Sequence, residues 1–147
     1  MTLTRRAVRR ARGDRGAAAV EFALIAPILF LLVFGIIDFG LLINSQSTAS
    51  NAAREGARVA SLGGNTAAVT SSVTTAMSTL INAGSTTTTV TCLNGATACS
   101  IDDATSDTGA TVTVKVTYTY KFLTPVAKLI GLSGTLTFSK SSQTRIE

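Results

Sequence analysis

The longest feature of the hydropathy pattern is an apolar run over residues 17–43, which contains two charged side chains, Glu21 and Asp38. At about 1.5 Å per residue, such a run can cross a bilayer core about 30 Å thick. A cleaved secretory signal is the alternative, but its apolar region would be shorter and a small-x-small site would follow it. We therefore predict one transmembrane helix over residues 17–43.

Four residues of this run bear on how the helix packs. Pro27 lacks a backbone donor and is expected to kink the helix, while Gly35 and Gly40 thin one side of it. The residues between Glu21 and Asp38 span only about 24 Å, so one acid must approach the hydrocarbon unless the bilayer thins. We assign Pro27, Gly35, Asp38 and Gly40 to helix packing.

Residues 44–64 become small and polar but keep a helical period, which predicts one long helix from about residue 17 to 62. Small side chains recur at spacings of four, three and four, and they would let another helix approach closely. A stripe that packs on the protein's own domain fits the pattern equally well. Glu55 and Arg58 are placed to pair on the solvated flank. The stripe comprises Ala49, Ala53, Gly56 and Ala60.

A second, weaker amphipathic helix is predicted over residues 66–82. Its apolar positions share one face, and Ala83-Gly84 would end it. The abundant threonines and serines lower its helix propensity. The predicted face consists of Val69, Val73, Met77, Leu80 and Ile81.

The pattern changes to a period of two in the C-terminal part, where residues 110–122 alternate between apolar or aromatic side chains and Thr or Lys. This alternation is typical of a half-buried strand. Shorter strands are predicted over 86–92 and 135–140, and a turn over 124–134 is expected to bury Val126, Leu129 and Ile130. Since such a sheet needs a cover on its apolar face, the two helices complete an α+β domain with about three antiparallel strands.

The positive charge is concentrated at the N-terminus. Residues 1–16 contain six arginines and one aspartate, a net charge of +5 that equals the net charge of the whole chain. The remaining residues are therefore balanced, which removes the main support for nucleic-acid binding. An arginine cluster before an apolar span is typical of a segment held in the cytoplasm.

Glu21 is the residue that points most directly to function. A carboxylate inside a membrane-length helix costs several kcal/mol and is normally kept with a partner or a task. Snorkelling of Glu21 to the headgroups beside Arg15 is the simpler alternative.

Cys92 and Cys99 flank a turn at Asn94-Gly95 and are the chain's two cysteines. Outside the cytoplasm, such a pair in a small domain most simply forms a disulfide. A zinc site is poorly supported, because the chain has no histidine and two thiolates do not fill a tetrahedral site.

Catalytic motifs are not found in this sequence. It has no histidine to activate a nucleophile and no glycine-rich phosphate loop. The acids Asp102, Asp103 and Asp107 fit no EF-hand spacing, so a solvated acidic turn is favoured over a calcium site. We expect a protein that is not an enzyme and needs no cofactor or metal.

Three segments resemble the TadE-like pseudopilins of tight-adherence (Flp) pilus systems. They are Arg15-Gly16 followed by Ala-Ala-Ala-Val-Glu-Phe-Ala-Leu-Ile-Ala-Pro, then Gly35-Ile-Ile-Asp-Phe-Gly40, then Asn51-Ala-Ala-Arg-Glu-Gly-Ala-Arg58. The resemblance is specific over residues 15–60 and looser over 110–147. Residues 65–109 carry no motif of the family.

The resemblance implies that a prepilin peptidase cuts the Gly16–Ala17 bond and removes residues 1–16. Glu21 would become the fifth mature residue and, with Phe22, would act in recognition and assembly. In assembled pilins of this type the partner of such a glutamate is a neighbour's N-terminal amine. The other implied partners are further pilins and pseudopilins and the inner-membrane assembly platform.

Two functions from different classes follow. The first is a minor pilin or pseudopilin that crosses the cytoplasmic membrane once, over residues 17–43, with its N-terminus inside. Residues 44–64 would extend the helix, and residues 65–147 would form an exported domain. The second is a signal-anchored binding module that never enters a filament. Cleavage after Gly16 distinguishes them.

Overall fold

The computed structural model describes residues 7–80, 84–102, 108–129, 131 and 133–147, and the side chains from residue 16 onward. The chain divides into two compact units on either side of the Ile37–Asp38 bond. The architecture is α+β, as predicted, with a long apolar helix, a second helix and an antiparallel sheet.

The first helix, α1, runs from Ala7 to Ser61 and continues through Pro27 without a break. It ends close to the predicted residue 62, where the Gly64 N–H donates to the carbonyl of Val59 at 3.0 Å. Gly63 has a φ of +79°, which glycine adopts without steric cost. A Cβ at Gly64 would lie 2.7 Å from that same carbonyl oxygen. The helix therefore ends at two positions that favour glycine, Gly63 for its positive φ and Gly64 because a side chain there would clash with the Val59 carbonyl.

The second helix, α2, spans Thr66–Met77 and ends before the predicted residue 82, since residues 78–80 are not helical. Asn65 caps it, since its side chain accepts from the Ala68 N–H at 2.8 Å. Val69, Val73 and Met77 are buried, which confirms the predicted apolar face for these three positions. Leu80 is half-buried beyond the helix end, and Ile81 lies outside the described residues.

Among the described residues, the sheet contains four strands in the order β2-β1-β3-β4, all antiparallel. Their bounds are Ser85–Asn94 for β1, Thr97–Cys99 for β2, Thr111–Lys121 for β3 and Thr135–Arg145 for β4. The prediction of about three strands therefore missed β2, which forms a tight hairpin with β1 around Gly95. The last strand also extends five residues beyond the predicted Lys140.

The domain core lies where one face of the sheet meets α2 and the C-terminal part of α1. On β3, Val112, Val114, Val116, Tyr118 and Tyr120 are all buried, so the predicted alternation is confirmed. The small stripe of α1 faces the same core, because a Cβ at Gly56 would lie 2.8 Å from Val73 and 3.1 Å from Val114. Between the two interpretations of the stripe, packing on the protein's own domain is the one that the structure supports.

The connection from β3 to β4 contains a short helix, α3, over Val126–Leu129. Val126 is half-buried here. The predicted burial of Leu129 is wrong, because its side chain is 76% exposed. Ala127 takes the inward position of the turn instead, and Ile130 lies outside the described residues.

Candidate processing and assembly segment

Gly16 and Ala17, which flank the predicted cleavage site, lie within α1 and are exposed. Apart from the neighbouring residues and the backbone of the same helix, no described atom lies within 4 Å of the position that a Cβ at Gly16 would occupy. Glycine in a helix interior costs about 1 kcal/mol relative to alanine, because it loses more backbone freedom. The bond is therefore placed where the helix is sterically open and locally weak.

Glu21 and Phe22 lie about one turn further along α1. Phe22 is 67% exposed and Glu21 is also exposed. Among the residues whose side chains the structure describes, none makes a hydrogen bond or ion pair with the Glu21 carboxylate. The Glu21 carboxylate therefore has no partner among the described side chains of its own chain.

The apolar segment around these residues exposes nearly all of its large side chains. Those of Val20, Leu24, Ile25, Ile28 and Leu29 are each more than half exposed. α1 is long and apolar enough, from Gly16 onward, to cross a membrane. Exposure on this scale is unfavourable in water and favourable in lipid, so the segment is a candidate single-pass anchor.

The helix-packing assignment has two outcomes. No atom lies within 4 Å of a Cβ built at Gly35 or at Gly40, so nothing in the described part of this chain packs against either glycine. Their role in contacts with other helices, like that of Pro27, stays a prediction. Asp38 contacts a loop of its own domain rather than another helix.

Asp38 is 5% exposed and connects α1 to the segment that follows β3. Its carboxylate accepts from the Leu123 N–H at 3.0 Å, from the Thr124 N–H at 3.4 Å and from the Thr124 hydroxyl. The Tyr120 hydroxyl donates to the Asp38 backbone carbonyl at 3.3 Å. Sequence reasoning missed this role, because an acid near the end of an apolar run carries no local sign of a partner 85 residues away.

A second carboxylate repeats this arrangement on the surface. Asp102 is exposed and accepts from the Thr66 N–H at 2.6 Å and from the Thr66 hydroxyl at 2.9 Å. It thereby satisfies donors at the N-terminus of α2, where a negative charge is favoured by the helix dipole. Asp103 and Asp107 lie outside the described residues.

Cys92 and Cys99 are joined in a disulfide, with Cα atoms 5.0 Å apart, as the sequence predicts. The two residues are direct partners in the β1–β2 register. The bond therefore fastens the short edge strand β2 to the rest of the sheet. Cys92 itself is buried in the domain core.

One cavity of about 250 Å³ lies between α2, β1 and β3. Its described lining includes the hydroxyl-bearing Thr74, Ser78, Thr86 and Tyr118, together with apolar groups, and carries no charge. In the described part of the chain, no group of three His, Cys, Asp or Glu side chains is close enough to hold a metal ion. The described lining of this cavity therefore contains no acid-base pair.

Comparison with known families gives a match to the model of the TadE-like protein family over residues 16–58. The matched segment begins at the predicted cleavage site and ends within α1, so it includes both acids of the apolar run. Comparisons with curated proteins and with solved structures give no match. The resemblance seen in the sequence is therefore confirmed over this segment, where residues 16–58 match the TadE-like family model.

Proposed function

We propose that this protein is a minor pilin or pseudopilin that takes part in assembling a tight-adherence (Flp-type) pilus. The observation that carries the proposal is the TadE-like match over residues 16–58, which contains an exposed Glu21 five positions after Gly16. The domain of residues 65–147 would be held outside the cytoplasmic membrane, with the arginine-rich leader inside. Partners would be other pilins, pseudopilins and the assembly platform.

Processing by a prepilin peptidase is the first step of this proposal. Cleavage of the Gly16–Ala17 bond removes all six leader arginines and creates an α-amine at Ala17. The bond lies within α1, and a protease needs an extended substrate, so the helix must open locally at Gly16. The low helix propensity of glycine favours that opening.

Glu21 would act between subunits. The Ala17 amine of a neighbour supplies the cationic partner that Glu21 does not have among the described residues of its own chain. A buried pair of this kind fixes the register of two helices, since a displaced subunit would leave one charge unpaired. Phe22 and the other exposed apolar side chains would supply the surrounding contacts.

The test of processing is intact mass analysis of the protein from a host that expresses its own prepilin peptidase. Wild type should begin at Ala17, and Gly16→Val should remain a full-length, membrane-inserted precursor because the β-branched side chain obstructs the protease. The matched control is Gly35→Val, which adds the same side chain in the same helix and should mature normally. An intact leader in wild type, or normal maturation of Gly16→Val, would refute the pseudopilin proposal and leave the signal-anchored binding module.

The test of assembly compares wild type, Glu21→Ala and Glu21→Gln at equal membrane levels. A photo-crosslinking residue at Ile25, one turn away and 63% exposed, captures neighbouring pilins. Both variants should be inserted and cleaved but should crosslink less, because breaking one half of a buried pair costs about 3 to 5 kcal/mol. Undiminished crosslinking would make Glu21 a snorkelling headgroup anchor, since a solvated carboxylate does not depend on a neighbour.

A further inference from the structure

Exposed apolar side chains of the domain are concentrated at one end of it. In the unit that begins at Asp38, seven large apolar side chains are exposed among the residues the structure describes. Five of them belong to the elements that meet at the Asp38 hydrogen bonds, which are α1 just after Asp38, the connection between β3 and β4, and the start of β4. These five are Phe39, Ile43, Leu123, Leu129 and Leu136. The other two, Leu62 and Leu93, lie beyond the end of α1 and near the β1–β2 turn.

The Asp38 hydrogen bonds fix the position of this end of the domain along α1. Asp38 accepts from Leu123 and Thr124, so the segment Leu123–Leu129 starts beside position 38 of the helix. Tyr120 pairs with Leu136 across the two strands, which brings the start of β4 to the same end. The opposite end of the domain is marked by the Glu147 N–H, which donates to Ser61 at 3.3 Å.

Position 38 is where a minimal span that starts at Ala17 leaves the hydrocarbon core, five residues before the end of the predicted transmembrane run at Ile43. About 20 helical residues span a hydrocarbon core of about 30 Å, so a span that starts at Ala17 ends near residue 37. The apolar run continues to Ile43, about 8 Å further along the axis. Leu41 and Leu42 in this extension are half-buried against the domain core, so the domain covers one side of the helix as the helix leaves the lipid.

The charges of the segment suit a lipid surface. Lys128 is exposed and precedes Leu129, and residues 122–134 contain no acid. A lysine stem can lie along apolar surface while its ammonium reaches the headgroup phosphates. An exposed leucine beside such a lysine is typical of a segment that lies in the membrane interface.

We propose that the segment Leu123–Leu129 rests on the outer leaflet of the bilayer that α1 crosses, with Leu123 and Leu129 inserted at the boundary of headgroups and acyl chains. Lys128 then lies at the phosphates, and the Asp38 hydrogen bonds hold the segment at this depth. The proposal rests on the membrane anchoring of the proposed function and does not depend on cleavage or filament assembly. This placement keeps the segment Leu123–Leu129 in contact with lipid before any partner binds.

The chain contains no tryptophan, so a single Leu→Trp substitution creates the protein's one tryptophan, which can be excited at long wavelengths where its two tyrosines barely absorb. We would place full-length Leu129→Trp, Leu29→Trp and Leu62→Trp variants in vesicles of phosphatidylcholine and phosphatidylglycerol at one protein per vesicle. Leu29 lies within the span and is the positive control. Leu62 is 67% exposed, against 76% for Leu129, and lies just beyond the end of α1, about 36 Å from Asp38 along the helix axis, so it is the matched negative control.

With brominated lipids, Leu129→Trp should be blue-shifted and lose about half of its emission, because an interfacial side chain lies about 5–10 Å deep. Leu29→Trp should be quenched as well, and Leu62→Trp should not. Quenching of Leu29→Trp without quenching of Leu129→Trp would overturn the lipid contact alone. If neither is quenched, the membrane anchoring itself is wrong. A blue shift of Leu129→Trp that appears only at high protein density, without lipid quenching, would assign the leucines to a neighbouring subunit and overturn the proposal.

Discussion

Replacing Asp38 by alanine tests how strongly the domain is attached to α1. The substitution removes the acceptor for the Leu123 N–H, the Thr124 N–H and the Thr124 hydroxyl. A buried donor left without a partner costs about 1–3 kcal/mol. The two loop residues are closer to solvent than Asp38, so we take the lower end of that range for each donor. The expected destabilisation is about 3 kcal/mol in total.

Asp102→Ala is the matched control, because Asp102 accepts from the same pair of groups, a threonine N–H and its hydroxyl. The difference is burial: Asp38 is 5% exposed, whereas Asp102 is an exposed residue. Water can replace an exposed carboxylate, so the control should lose less than about 1 kcal/mol. The comparison isolates the effect of burial from the chemistry of the hydrogen bonds.

Two measurements on the full chain in detergent would follow the change. Near-UV circular dichroism reports both tyrosines of the chain, Tyr118 and Tyr120, which are buried in the core. Asp38→Ala should lower the melting temperature by about 10 °C, given about 4 °C per kcal/mol for a domain of this size. Hydrogen exchange at Leu123 and Thr124 should accelerate about 100-fold, since each 1.4 kcal/mol is a factor of ten. Equal effects of Asp38→Ala and Asp102→Ala would refute the reasoning.

Three further predictions concern the rest of the domain. Gly56→Ala should destabilise the domain by about 1–2 kcal/mol, because overpacking outweighs the gain in helix propensity. The control Gly40→Ala, whose new methyl group meets open space, should not destabilise it, and an unchanged melting temperature for Gly56→Ala would contradict the packing. Replacing Cys92 and Cys99 by serine should lower the free energy of unfolding by about 2–3 kcal/mol on the chain-entropy model, and circular dichroism should show no loss of sheet content. Two free thiols in the exported protein would contradict the disulfide. The hydrogen bond from Arg58 lowers the pKa of the Glu55 carboxyl below its usual range. This pair should therefore stabilise the protein above the ordinary glutamate pKa and lose its effect as the pH falls through the lowered pKa. In an NMR titration, Arg58→Gln should return the Glu55 pKa to its ordinary range.

The alternation on β3 and the apolar face of α2 could be predicted from the sequence because each follows from one local period. Every second residue of β3 is buried, as a period of two requires. The strand β2 could not be predicted in this way, because three residues, Thr97–Cys99, are too few to show a period. Its place in the sheet depends on the turn at Gly95 and on the disulfide, and the sequence gives these as separate features.

The end of α2 and the exposure of Leu129 could not be predicted from the sequence for a different reason. The amphipathic period continues past Met77, but the chain leaves the helix there, with the Ser78 N–H donating to both Thr74 and Thr75. Leu129 has the hydrophobicity of a core residue and yet is exposed. Hydropathy measures the preference for leaving water, and it does not tell a protein core from a lipid surface. The error at Leu129 is therefore informative about the environment of the β3–β4 connection.

The two acids of the apolar run look alike in the sequence but are satisfied in different ways. Asp38 has its hydrogen bonds within its own domain, so its burial needs no second molecule. Glu21 is exposed on an apolar stretch of helix that is long enough to cross a membrane, and in such a span lipid would offer no hydrogen-bond donor to replace water. A carboxylate in that position must reach the headgroups or find a cation on another chain. The fold thus removes Asp38 from the candidates for subunit contact and leaves Glu21, next to the bond that cleavage would open, as the acid through which assembly can be tested.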